Sequence, residues 1–236
     1  MCGNDSSGTR GIIMRPLIAQ ISRDLNIAWQ NRQDVAVMLG FFIIIIALFP
    51  LAIGPKSAML QSLGIPMIWI AALLSSLNGF DRLFAQDVRD GWLDQISLSA
   101  LSLGWYAVAK AASHWLTASL PLLLITPILA LMLNIASTSL PALMIALLVG
   151  TMALTLLGVI GAALAEGARR SSALIAILVL PLAVPVLIFG TLAAAIDDGV
   201  ISPHLMLLGA MLALLLALAP LVAATAFKIG ETESGI

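Results

Sequence analysis

Apolar residues along this chain gather into long uninterrupted runs, and charged residues are pushed to the ends of those runs. Segments without Asp, Glu, Lys or Arg cover residues 35–54, 62–80, 112–133, 140–165, 173–196 and 204–226. Each is near the roughly 20 helical residues that a hydrocarbon layer about 30 Å thick demands. Helices suit such runs because a helix satisfies its own backbone hydrogen bonds where no water is present. The pattern therefore predicts an all-α, polytopic membrane protein with six transmembrane helices.

Two segments show a mixed pattern. Between Met14 and Asp34, Leu17, Ile21, Leu25, Ala28 and Trp29 recur at helical spacing, with Gln20, Arg23, Asp24, Asn31 and Arg32 largely elsewhere around the turn. This predicts an amphipathic helix over 14–34 lying at the membrane interface. The polar leader 1–13 carries the lone Cys2, has no apolar core of a signal peptide and is expected to be disordered, with Met14 as an alternative start. The other mixed segment is a loop over 81–109. In it Phe84, Val88, Trp92 and Ile96 form one stripe, and Arg82, Gln86, Asp90 and Asp94 form another beside Asp87 and Arg89. Gly91 weakens a helix there by about 1 kcal/mol and predicts a bend.

The third apolar run extends from Leu98 to Leu133, about 50 Å as one helix and too long to be all membrane. Lys110 with Trp105 and Tyr106 reads as an interfacial anchor, so the crossing is expected to start near His114. With the N-terminus inside, Arg10, Arg15, Arg23, Arg32, Arg82, Arg89, Lys110, Arg169, Arg170 and Lys228 face the cytoplasm and Lys56 alone lies outside. Both termini are then cytoplasmic, with a permease domain over 35–227 and a short tail over 228–236.

Composition agrees with lipid as the main solvent: 61% of the 236 residues are hydrophobic and 10% charged. The net charge of −1 provides no field for nucleic acid. Asp87, Asp90 and Asp94 lack a nearby His or Cys to complete a metal or acid–base constellation. His114 and His204, the two histidines, fall at opposite faces on this topology and cannot share a metal. His114 beside Trp115 admits two readings, an iron ligand and a hydrogen-bonded interfacial histidine, and the second is the commoner one. No Asp, Glu, Lys or Arg lies at mid-membrane depth, where an ion-coupled transporter would be expected to carry one. No phosphate-binding loop motif is present, so ATP use falls to another polypeptide. The chain is read as non-catalytic, with no directly bound cofactor or metal.

Two readings stand for the loop: a connector between spans, and a docking element for a cytoplasmic partner through Arg82, Gln86, Asp87, Arg89, Asp90 and Asp94. Pro121, Pro127, Pro181 and Pro185 sit inside spans three and five, as kinks that either hinge or pack statically. Gly158 and Ala162, four apart, permit close helix contact, within the chain or with a second copy.

Four stretches carry a family resemblance: Ala47 to Pro55 (ALFPLAIGP), Ile68 to Ser76 (IWIAALLSS), Arg82 to Gln95 (RLFAQDVRDGWLDQ) and Leu178 to Phe189 (LVLPLAVPVLIF). From about Ile21 to Ala226 the chain resembles CcmB, the haem exporter protein B of cytochrome c maturation. It departs from that pattern in lacking an Asn-Pro pair after Asp34, in having Asp94 where Glu is common, and around Glu166 to Ser171. The resemblance implies an ABC-2-like permease subunit in a bacterial inner membrane. The implied partners are the CcmA ATPase, CcmC, CcmD and the haem chaperone CcmE. ATP hydrolysis in CcmA would drive release of haem-loaded CcmE, with haem handled by the complex. A permease for another lipid or hydrophobic substrate, or a membrane scaffold, are the alternatives.

Overall fold

The structure, a computed structural model, describes residues 6–54, 58–99, 101–167, 173–195 and 202–233, with side chains omitted for 6–13, 167, 173 and 230–233. The helices in chain order are α1 (Ser6–Gln30), α2 (Arg32–Ile53), α3 (Ala58–Phe80), α4 (Ala85–Arg89), α5 (Trp92–Ser97), α6 (Leu103–His114), α7 (Leu120–Met132), α8 (Leu140–Gly167), α9 (Ala173–Ala195) and α10 (Pro203–Glu233). A π-helical turn, Trp115–Ser119, joins α6 to α7. No strand occurs among the described residues. Among the described residues six helical segments are long and apolar enough to span a membrane, as the hydrophobic runs predict.

One boundary differs from the sequence expectation. Helix α1 begins at Ser6, inside the leader expected to be disordered. Helical structure runs from Leu103 to Met132, and the π-helical turn begins at Trp115, beside the expected start of the crossing at His114. Lys110, expected at the membrane boundary, is met by carboxylates from elsewhere in the fold. Lys56, Arg169 and Arg170, on which part of the orientation argument rests, lie outside the described residues, as does most of the connection over 197–203.

Helix α8 is the most enclosed span, with 67% of its apolar window buried against 17% for α2 and for α10. The outward faces are apolar too. Val37, Ile44, Leu48 and Leu51 on α2 are exposed, as expected for a surface that faces lipid. In the core Trp69 of α3 is fully buried, its indole seated between Gly150 of α8 and Gly190 of α9. A Cβ on Gly150 would lie 2.2 Å from the ring, and one on Gly190 2.3 Å away. Small residues thus let three spans close on one large side chain, which is how apolar helices gain packing energy in lipid. Gly158 serves Phe80 in the same way, so this small-residue position is filled within the chain; Ala162, four residues on, is also buried.

The π-helical turn precedes Pro121. The Leu120 N–H donates to the Trp115 carbonyl five residues back. Proline lacks a donor and crowds the carbonyl four residues before it, and a widened turn relieves both. The turn also aims Trp115, whose Nε1–H donates to Thr151 Oγ1 of α8 at 3.0 Å. Pro127 lies within α7, and Pro181 and Pro185 within α9, and both helices continue through them.

Candidate functional site

Where α1 crosses the start of the third span, six polar side chains from three elements meet in a buried cluster. Helix α1 supplies Gln20, Arg23 and Asp24, the short α4 supplies Asp87, and α6 supplies Tyr106 and Lys110. The i,i+4 pairs Gln20/Asp24 and Tyr106/Lys110 each put two polar groups on one helix face. The Gln20 amide donates to Asp24 Oδ1 at 3.1 Å. Asp87 is 2% exposed, and it receives Arg23 at 3.1 Å and Lys110 at 2.5 Å. The Tyr106 hydroxyl donates to the same carboxylate, at 2.5 Å from Oδ2. Arg23 and Lys110 also reach Asp24 Oδ1, each at 3.3 Å. Two cations and two carboxylates balance, which is the condition under which buried charge is tolerated.

The balance is uneven between the carboxylates. Asp24 uses only Oδ1, while its Oδ2 is buried without a partner. Burial pushes the Asp24 carboxyl above its ordinary value, and the Lys110 ammonium opposes that shift.

The cluster is braced from the loop. Arg23 lies 4.1 Å over the Trp92 ring of α5, and the Trp92 Nε1–H donates to Gln20 Oε1 at 3.1 Å. Phe84, at the entry to α4, packs edge-on against Phe227 of α10 with ring centroids 5.0 Å apart and lies 5.9 Å from the Tyr106 ring. The loop is therefore keyed to α1, to the third span and to the last span at once.

Gly91 adopts φ +66°, a left-handed conformation that favours glycine, and it divides the loop into α4 and α5 as the expected bend implies. The apolar stripe is split accordingly. Phe84 and Ile96 are buried, Trp92 is half-buried, and Val88 is 41% exposed. Of the expected docking residues, Arg82, Gln86, Arg89, Asp90 and Asp94 are exposed. Asp87 is corrected: it faces inward and is engaged by Arg23, Lys110 and Tyr106, so it offers nothing to a partner. Arg82 is tied to Asp34 of α2 by an ion pair. Lys110, read as an interfacial anchor, is likewise an internal ion-pair partner with 13% side-chain exposure.

His114 lies with its ring 5.5 Å from Phe80, and its Nε2 is buried with no hydrogen-bond partner. Among the described residues no group of three His, Cys, Asp or Glu side chains is placed to hold a metal ion. Sequence reasoning missed Gln20, Arg23, Asp24, Tyr106 and Lys110 as one site. The available signal was Lys110 itself: an ammonium inside a long apolar helix requires a counter-ion.

Residues 15–230 match the family model described as CcmB protein. A protein of Pseudomonas aeruginosa named Heme exporter protein B is 41% identical over 215 residues, covering 90% of this chain and 96% of the relative. Its namesake in Bradyrhizobium diazoefficiens is 46% identical over 181 residues, covering 77% and 82%. The Escherichia coli protein of that name is 41% identical over 208 residues, covering 87% and 94%.

Proposed function

The chain belongs to the CcmB protein family, and on that premise we propose that it is the membrane-spanning permease subunit through which a partner ATPase drives the haem-handling step of cytochrome c maturation. It is a multi-pass membrane component of the haem export system, as its relatives' shared name implies. The finer assignment is our reading. CcmA supplies ATP hydrolysis, CcmC and CcmD complete the complex, and the work released frees haem-loaded CcmE. The chain would sit in a bacterial inner membrane with both termini cytoplasmic, and hydrolysis would occur in the partner.

One observation carries this reading. The α4–α5 loop is polar and exposed on one side at Gln86, Arg89, Asp90 and Asp94, while its other side locks into α1 and α6 through Asp87 and Trp92. A force applied to the exposed side reaches the third span through ion pairs and packed rings, with no flexible linker between. A mere connector needs no such keying. Side chains at one small outer edge can be exchanged without touching the cluster, which makes the reading testable. Asp90→Arg should insert normally and fold, yet weaken copurification with the ATPase and lower the yield of c-type cytochromes. Unchanged copurification together with unchanged cytochrome yield would remove the loop from the ATPase contact.

A further inference from the structure

The third span changes partners halfway along. Before the π-helical turn, α6 packs mainly on α1 and α10; after it, α7 packs on α2, α3 and α8. The turn at Trp115–Ser119 is the joint between these two groups of helices. A π-turn holds one residue more than the α-helix on either side of it. That surplus can pass along the chain by exchanging one backbone hydrogen bond for the next. Each residue it passes is turned by about 100°, one step of a helix with 3.6 residues per turn, while the flanking helices keep their registers.

The surplus is bounded on both sides. Toward the C-terminus it stops at Pro121, which has no N–H for the next bond. Toward the N-terminus the next fixed point is Lys110, held by Asp24 and Asp87. Between the turn and Lys110 lie Ala111, Ala112, Ser113 and His114, of which only His114 is large. The backbone bonding there already has alternatives. The Trp115 N–H reaches the carbonyls of both Ala111 and Ala112. Thr117 Oγ lies 2.9 Å from the Ser113 carbonyl and 3.3 Å from that of His114.

One polar link holds the observed position, and one unmet group weighs against it. The link is the bond from Trp115 Nε1–H to Thr151 Oγ1. The unmet group is His114 Nε2, buried without a partner, on a ring that rests on bare Gly79, where a Cβ would lie 2.7 Å away. An unpaired buried polar atom is a cost specific to this position. Beside Trp115 there is also room. A cavity of about 310 Å³ adjoins the ring, lined by Val108, Ala112, Leu116, Met152, Thr155 and Leu212, and the Thr155 hydroxyl is already spent on the Thr151 carbonyl at 2.9 Å.

We propose that the π-turn is the moving part of a two-position device. In its second position the turn lies one helical turn nearer the N-terminus, at residues 111–115, with Trp115 released from Thr151 into the adjoining cavity and His114 turned off Gly79. Lys110 and Pro121 are its stops. Travel of the turn takes up displacement between the α6 side and the α7 side without unfolding the span. The device rests on the coupling proposed above only for what drives it; the two positions belong to the chain alone.

Fluorine NMR tests this on the full-length chain without any ATPase. The protein is labelled with fluorotryptophan, reconstituted in phosphatidylcholine nanodiscs, and its tryptophan lines are assigned by replacing each ring in turn with Phe. Trp115 should show a second line, or the broadening of a register shift on the microsecond-to-millisecond scale, while the fully buried Trp69 shows one sharp line. Thr151→Val should raise the share of the second position roughly fivefold, the equivalent of one lost hydrogen bond. Deleting Thr117 removes the surplus residue and should leave a single sharp Trp115 line. Leu212→Phe, which narrows the cavity with the turn intact, should lower the share of the second position and covers the case in which the deletion disturbs the Trp69 line. A single unbroadened Trp115 line in both the native chain and Thr151→Val would overturn the proposal. A second line unchanged by Leu212→Phe, or one that persists in a folded Thr117 deletion, would equally overturn it. Any of these failures leaves the ATPase contact standing, because Asp90→Arg tests that contact separately.

Discussion

Neutralising Asp87 by Asp87→Asn leaves Arg23 and Lys110 facing a single carboxylate inside the fold. Unit charges at the observed 2.5 Å and 3.1 Å attract by roughly 7 and 5 kcal/mol at an effective dielectric constant of 20, before desolvation is subtracted. Desolvation removes much of that, and the net loss on deleting one member of a buried ion pair is about 3–5 kcal/mol. Asn keeps an acceptor for the Tyr106 hydroxyl, so Asp87→Asn should fall toward the lower end of that range. Lys110→Met should cost a similar amount, because two carboxylates then share Arg23 alone. The double variant restores balance, with Arg23 against Asp24, and should be more stable than either single variant. The assay is unfolding in mild-detergent micelles titrated with sodium dodecyl sulfate, followed by Trp92 emission and by helical circular dichroism. A double variant that loses as much as the two singles combined would refute the idea that these charges form one unit.

Two other perturbations have definite expected outcomes. Gly150→Ala and Gly190→Ala each press a methyl group into the Trp69 ring and should cost about 1–3 kcal/mol by overpacking, whereas Gly209→Ala meets nothing within 4 Å and should be neutral or slightly stabilising; equal midpoints for all three in the same titration would contradict the Trp69 seat. Burial holds the folded-state pKa of Asp24 above its ordinary value, with Lys110, Gln20 and Arg23 around one oxygen. A raised carboxyl favours the fold while protonated. The stability of the native chain relative to Asp24→Asn should therefore be greatest below about pH 4 and fall as pH rises through the raised value, with Asp87 and Lys110 unchanged in both proteins. A difference that grows with pH would reverse the assigned direction.

The spans were legible because membrane thickness imposes a length on apolar runs, and α2, α8, α9 and α10 need nothing beyond that length to be found. The Gly91 bend was legible for a local reason as well, since a glycine in mid-pattern weakens a helix at that point. The charge cluster was not. Asp24 and Lys110 stand 86 positions apart, and Arg23 and Asp87 stand 64 apart, and no local periodicity relates them. Asp87 shows how a pattern misleads: it sits among exposed neighbours on the same short loop, yet the break at Gly91 and the packing of Phe84 turn it inward. Lys110 was legible as a charge within an apolar run, but its counter-ions were not, because they are two aspartates distant in the chain.

In the proposed coupling, force enters at α4–α5 and reaches the third span through the Arg23–Asp24–Asp87–Lys110 cluster. The direct measurement places Asp87→Asn/Lys110→Met in the complex with its ATPase and follows three quantities together: copurification of the ATPase, ATP hydrolysis, and c-type cytochrome yield. Retained copurification, retained hydrolysis and a loss of cytochrome yield are expected, because the outer docking edge is intact while the link behind it is cut. Normal cytochrome yield from an assembled complex carrying the neutralised cluster would contradict this coupling.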